Sequence, residues 1–517
     1  MFHGACVAEL RKFGVEQVCP LCRTPLPPGA QRSCIEGFDH YLKIIRMVEC
    51  GKVLWSNLPT SAQHVMDKVL AAWRAAADEG HPRAQSMLGL LFDAGHGVAQ
   101  SHEEAARWYR KAADQGLPNG QYRLGSMYEC GHGVEQSYDE AARWFKMAAE
   151  QGDDHAQYEL GTMYEQGHGV AQSNEEAARW YRKSADHGLS WAQCRMGIMC
   201  EKGTGVVRSD ENAARWYLMA ADQGHEHAQL NLGLLHARGC GVPQSYLKAV
   251  RWYRKAADQG LDQAQFHLGL AFQLGDGIEQ NNEEAVRWYG KAADQGYAQA
   301  QHSLGALYKA GSGVAQSYEK AARLFKKTAE QGDVAAQVLM GMMFDDGQGL
   351  PQNDEKAAQW YKKAAEQCDA ISQFRFGERY RLGRGVAQSD VEALPWYQKA
   401  ANQGHAGAQC ELGDVYKEGR GVAQSSAEAA QWFKKAAEQG DSDAQFRIGL
   451  ACEFGRGMTQ SNEEAAQWYK KAADLGDVYA QYRIGLLYED GRALSPADLF
   501  GGKAPVGALI GLLERIR

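Results

Sequence analysis

GVAQSHEEAARWYRKAADQG, residues 97–116, decides how the rest of the chain is read. Gly95 and His96 stand just ahead of it, so a glycine-rich loop opens onto a helix. Near-copies recur throughout. Trp stands at 108, 144, 180, 216, 252, 288, 360, 396, 432 and 468, always 36 apart except for one slot held by Leu324. The following residue is aromatic each time, from Tyr109 to Tyr469. Eleven complete units run from His81 to Gly476 without insertion or deletion, with a half-unit before them ending at Gly80 and another after them ending at Gly491. A loop of this kind raises the question of a phosphate cradle, which needs backbone N–H groups converging on an anion after a strand, usually with a lysine. Here a helix precedes the loop, no GK[ST] follows, and both glycines return in all eleven units. The pattern therefore predicts a turn between two helices that exploits positive φ.

Each unit reads as a helix pair. In the second helix Ala105, Trp108, Tyr109, Ala112 and Ala113 make one apolar stripe, with Glu103, Glu104, Arg107, Arg110 and Lys111 opposite. Glu103 and Arg107 are spaced for an i,i+4 ion pair. Ser101 with Glu104 predicts a capping box, and the cap slot is Ser or Asn in all eleven units. Gly116 suits the left-handed end of the helix. In the first helix Ala84, Leu88, Leu91 and Phe92 share a side. Gly89 and its counterparts on to Gly485 sit inside that helix, where a glycine costs ~1 kcal/mol against alanine. Their recurrence predicts that another helix, through the bulky Trp, packs where a side chain would stand.

Composition sets the outer limits. A net charge of −8 and a pI near 6.1 argue against a general nucleic-acid binder. The 44% apolar content supports a core, and no apolar run reaches the ~18–20 residues of a membrane span. The start MFHGACVAELRKF lacks the pattern of a secretory signal, and the 12 cysteines, mostly single, read as reduced thiols. A soluble protein of the cytoplasm, with the nucleus as the other compartment, is expected.

The helix pair, with A-Q-x-x-L-G-x-x-Y ahead of G-x-G-V and E-A-A-x-W-Y-x-K-A-A-x-Q-G behind, resembles the Sel1-like repeat, a relative of the tetratricopeptide repeat. GTMYEQGHGVAQSNEEAARWYRKSADHG, residues 161–188, carries nearly every marker. The resemblance implies an all-α fold, a right-handed α-solenoid of about eleven 36-residue helix pairs with terminal half-repeats, used to hold other proteins. Stacking agrees with the residues, because each pair can bury its stripe only against neighbours.

Comparing the units with one another locates a candidate binding face. In the first helix the slots of Arg83, Met87, Leu90 and Ala94 vary while Leu88, Gly89 and Phe92 barely change. The resemblance places these variable slots on the concave surface. The Met87 slot holds Arg123, Arg195, Arg375, Arg447 and Arg483, and the Arg83 slot holds Trp191 and Tyr479 among others. The arginines could grip carboxylates of an acidic peptide, with the aromatics as anchors. Against this stands pairing with nearby acids such as Glu378 or Asp414.

The amino-terminal stretch differs. His3-x2-Cys6 is followed by Cys19-x2-Cys22, four soft ligands suited to a tetrahedral zinc. CPLCRTPLP resembles the last ligand pair of a RING finger, the zinc module of many ubiquitin ligases. That likeness implies Pro20 and Arg23 as contacts for a ubiquitin-conjugating enzyme. A RING needs eight ligands, and about half are present. No other catalytic constellation emerges: Cys194 and Cys410 read as core thiols, and neither HExxH nor a Ser-His-Asp set occurs. The expected organisation is a RING-like zinc segment (1–30), a capping helix and linker (31–61), the solenoid (62–491) and a tail or cap (492–517). In the capping segment Tyr41, Ile44, Ile45 and Val48 face inward and Ser61 caps the next helix; a short closing helix spans Val506 to Ile516. A non-catalytic scaffold for partner proteins leads, without nucleic acid or membrane. A RING-type ligase that recruits substrate through the solenoid is the alternative.

Overall fold

The computed structural model describes residues 28–49, 54–55 and 58–489, and within them twenty-five helices. They belong to two compact units, one of Met1–Ala264 with Asp276–Ile278, the other of Gln265–Gly275 with Glu279–Arg517. In each unit the helices stack as an α-solenoid of antiparallel pairs. The first unit opens with α1 (Pro28–Glu49), α2 (Thr60–Asp78), α3 (Pro82–Ala94) and α4 (His102–Asp114), and helices of the α3 and α4 types then alternate.

The caps form as the sequence requires, with two changes. Ser101 Oγ accepts from the Glu104 N–H at 3.3 Å, and the Ser or Asn of each later unit caps likewise. The Glu104 carboxylate does not close the box; it takes Arg107 at 2.7 Å, so the ion pair is i,i+3 and does not involve Glu103. The Ser101 N–H that the box would use is already satisfied, donating to the Phe92 carbonyl at 2.9 Å, so the carboxylate is left to the guanidinium. Nor does Ser61 cap a helix, since α2 begins at Thr60 with Pro59 at its N-cap.

Inside a pair the mid-helix glycine meets the second aromatic of the Trp-aromatic dyad. A Cβ on Gly89 would lie 2.6 Å from Tyr109, and one on Gly161 would lie 2.7 Å from Tyr181. The tryptophan does other work. Trp144 is 7% exposed because it packs among Ala105, Ala106, Tyr109, Ala113, Leu124 and Met127, which include residues of the preceding pair. Trp180 packs likewise with Ala141, Phe145 and Leu160, and Trp432 with Ala393, Tyr397 and Leu412. Adjacent dyad residues point about 100° apart on a helix, so one closes the pair and the other reaches the neighbour.

The loop glycines serve the stacking as well as the turn. Gly95 and Gly97 have φ of 66° and 70°. A Cβ on Gly133 would sit 2.1 Å from the His102 carbonyl oxygen, and one on Gly169 2.1 Å from that of Tyr138. From Gly133 onward the second glycine of the loop thus lets backbone lie on backbone at the start of the preceding second helix, whereas Gly97 lies against the Met66 side chain. No side chain fits there, which answers the phosphate question in favour of architecture.

Glutamines stitch neighbouring pairs. Gln85 Nε2 donates to the Ala77 carbonyl at 3.1 Å, and Gln115 Nε2 donates to Gln85 Oε1 at 2.7 Å. The motif repeats at Gln121 with Gln151, Gln193 with Gln223, Gln337 with Gln367 and Gln409 with Gln439. Where His187 and Leu475 replace the donor, Gln157 Oε1 and Gln445 Oε1 are buried without a partner.

At the start of the first unit α1 completes a pair with α2. Tyr41 and Ile44 are buried against Val69, Trp73 and Leu88, with Ile45 and Val48 partly buried beside them. A Cβ on Gly37 would lie 2.3 Å from the Trp73 indole, the same device as Gly89 on Tyr109. The apparent half-unit is therefore a full pair with a longer connection.

Candidate functional site: the first-helix face

Ala84, Leu88 and Leu91 are fully buried, which turns the variable slots of the first helix away from the core, apart from Leu90, itself only 7% exposed. Successive first helices also touch one another in the first unit, as Pro82–Ala94 does with Pro118–Cys130 and Ser190–Lys202 with Glu226–Arg238. That places them on the tighter side of the stack there. Arg83 is covered, because Phe38 of α1 lies 5.7 Å beneath its guanidinium. Farther along the first unit Trp191 is 52% exposed, its ring edge-on to His225 at 4.6 Å. In the second unit Ile371 is 49% and Tyr479 73% exposed.

The arginines stand on the face, but most of them hold carboxylates of this chain. Arg195 meets Glu165 at 3.0 Å, and the Tyr181 hydroxyl donates to the same carboxylate at 2.8 Å. In the second unit Arg483 meets Glu453 at 2.6 Å with Tyr469 donating at 2.8 Å, the same trio in another place. Arg447 is clasped by Asp414 and by Asp443 at 2.7 Å, and Arg375 meets Glu378 at 3.3 Å. Arg123 lies over the Tyr122 ring at 5.7 Å. Arg195, Arg447 and Arg483 thus tie consecutive first helices together, and a partner's carboxylate would have to displace an internal one. Asp414 and Glu378, weighed from the sequence as competing partners, do pair with Arg447 and Arg375; Glu165 and Glu453 were missed because they lie in the preceding unit, 30 residues before Arg195 and Arg483.

One of the units that lack the trio sets two acids together. Where Glu165 faces Arg195, the unit before it sets Glu129 beside Glu159, and Phe145 replaces the tyrosine. Burial and the Glu129 charge push the Glu159 carboxyl up to about 7.

Burial pushes the Cys194 thiol up to about 12 and raises that of Cys410, so neither supplies a thiolate near neutral pH. Among the described residues no three His, Cys, Asp or Glu side chains gather as metal ligands, and no helix is long and apolar enough to cross a membrane. His3, Cys6, Cys19, Cys22, Pro20 and Arg23 lie outside the described residues, as does the expected closing helix after Val506.

A family model described as the Sel1 repeat matches at residues 82–117, 118–153, 154–189, 192–225, 226–261, 262–297, 298–333, 334–367, 370–405, 406–441, 442–477 and 478–499. The matches skip residues 190–191 and 368–369, where Trp191 and Cys368 stand. Among solved structures, c5321, a protective antigen of uropathogenic Escherichia coli strains with an SLR fold, is 32% identical, over 86% of this chain and 93% of that one, with a TM-score of 0.69. A Sel1 repeat protein from Oxalobacter formigenes is 36% identical over 60% of this chain and 89% of its own, with a TM-score of 0.49. No curated protein matches the chain. Helix pairs closed by glycine on tyrosine and joined by tryptophan, matched twelve times over, make this chain a member of the Sel1 repeat family.

Proposed function

We propose that the protein is an interaction scaffold whose first-helix faces hold partner proteins. The observation that carries this reading is Trp191. It is a large aromatic side chain, half exposed, at a slot where the fold asks for nothing apolar, and aromatic anchors dominate protein interfaces. Tyr479 and Ile371 repeat the arrangement in the second unit. The arginines Arg123, Arg195, Arg375, Arg447 and Arg483 act beside them as a polar rim, with Arg375 the most open of the ion-paired four. The test is affinity capture with Trp191→Ala beside the parent chain, followed by mass spectrometry and a thermal melt of each. Loss of specific partners with an unchanged melt supports the reading; recovery of the same partners in the same amounts refutes it.

A second reading rests on CPLCRTPLP alone. In it His3, Cys6, Cys19 and Cys22 hold zinc, Pro20 and Arg23 meet a ubiquitin-conjugating enzyme, and the solenoid recruits substrate. Metal analysis together with an autoubiquitination assay decides it: less than one zinc per chain, or no ubiquitin transfer, rejects the ligase.

A further inference from the structure

The first unit carries a groove on its other side, between the second helices Asp210–Asp222 and Tyr246–Asp258 and the loop at 239–243. Its volume is about 810 Å³. The same groove exists three units earlier, lined by Glu103, Ala106, Arg107, Arg110, Gly133 and Val134, and there measures about 230 Å³. Two substitutions in the repeat account for the difference. In the earlier copy the Arg110 guanidinium lies 5.5 Å over the Tyr128 ring, and together they fill the space. At the equivalent positions stand Leu218 and His236. The smaller imidazole is buried and turned to the Pro243 carbonyl at 3.4 Å, while Leu218 remains 44% exposed.

The charges of the rim change at the same place. Arg107 and Arg143 of the earlier copy pair with Glu104 and Glu140 of their own helices. The positions of those acids are taken by Asn212 and Lys248, so Arg215 and Arg251 make no ion pair among the described residues. Lysines in the Lys248 slot elsewhere sit over an aromatic ring, Lys320 over Tyr308 and Lys356 over Phe344. Lys248 has only His236 at that place and lines the groove. An apolar floor of Leu218, Leu232, Val242 and Trp252 is thus bordered by four cations, Arg215, Lys248, Arg251 and Lys255, and by one acid, Glu211.

We infer that this groove is a second docking site, distinct from the first-helix face, for a short acidic peptide segment with one bulky apolar side chain. The apolar side chain occupies the space that the Tyr128 ring fills in the earlier copy. Flanking carboxylates replace the missing Glu104 and Glu140 as partners of the guanidiniums. A volume of this size suits a bound segment, and exposed cations select it by charge and make the affinity fall with salt.

The test is fluorescence polarisation on the full chain. The probe is a pool of fluorescein-labelled decapeptides carrying Asp and Glu around a single Phe, Leu or Trp. A lysine-for-acid pool and phosphatidylserine vesicles serve as comparisons. His236→Tyr with Leu218→Arg rebuilds the earlier copy, so the variant keeps its melting midpoint and loses acidic-pool affinity by about tenfold or more, as expected for removal of an interface anchor. Arg215→Glu with Arg251→Glu loses it as well and gains affinity for the lysine pool. The inference is overturned if the acidic pool does not bind, if the filled variant binds it as tightly as the parent, or if only the vesicles bind.

Discussion

The same substitution, glycine to alanine within a helix, has opposite effects at two places in this chain. At Gly161 the added Cβ would lie 2.7 Å and 2.8 Å from the Tyr181 ring carbons. That ring is fully buried, and its hydroxyl is held by Glu165 at 2.8 Å, so it has little room to turn. Alanine gains up to ~1 kcal/mol of helix propensity, but overpacking a rigid contact costs roughly 1–3 kcal/mol. The net expectation for Gly161→Ala is a loss of up to about 2 kcal/mol, with Gly161→Leu worse. Gly290, inside the helix Asn282–Asp294, has nothing within 4 Å of its Cβ position, so Gly290→Ala keeps the propensity gain of up to ~1 kcal/mol. Native-state hydrogen exchange over residues 154–166 and 282–294 reads the two locally, which suits a stack whose pairs open separately. The reasoning fails if Gly161→Ala raises protection as Gly290→Ala does, because the ring would then be yielding freely.

Three further expectations follow from irregular positions. Cys368 has a φ of 69° where the other units have glycine, so Cys368→Gly should stabilise by about 1 kcal/mol, seen as a raised thermal midpoint. Leu475→Gln should give Gln445 Oε1 its missing donor and add about 1 kcal/mol to the last pairs, read by hydrogen exchange there. Glu159 holds its proton to about pH 7 when folded, against an ordinary value of 4.5, so the unfolded chain releases that proton first. The resulting penalty is absent below the unfolded value, grows as pH rises and is complete above the folded one. It is at most ~3–4 kcal/mol, since each tenfold change in proton affinity is worth about 1.4 kcal/mol. Urea midpoints at about pH 5 and about pH 8 should differ less in Glu159→Gln than in the parent.

Most of the fold could be read from the 36-residue recurrence, because strict spacing of Trp, cap Ser and loop Gly leaves one arrangement of helices. What failed was the assignment of partners within it. Trp108 and Tyr109 both belong to the apolar stripe, and only packing shows that the tyrosine closes the pair on Gly89 while tryptophans such as Trp144 reach the preceding one. The pairing of α1 with α2 was hidden by a long connection that breaks the period. Gln85 and Gln115 recur as visibly as the tryptophans, and a polar residue held at a fixed slot is a signal of a buried hydrogen bond that went unread. On the candidate face Trp191 was expected to be exposed, and it is half exposed. Arg195 and Arg483 resembled free cations because their acids come from the neighbouring pair. The second groove shows only as paired departures from the repeat, Leu218 with His236 and Asn212 with Lys248.

The stack depends on mutual burial: Trp180 is 8% exposed, packed against Ala141 and Phe145 of the preceding pair as well as Leu160 of its own. Circular dichroism of a peptide covering residues 154–189, compared with fragments of increasing numbers of pairs, tests that dependence directly. Helicity per residue should be low for the single pair and rise steeply as neighbours are added. A lone pair that is fully helical and melts cooperatively would contradict it.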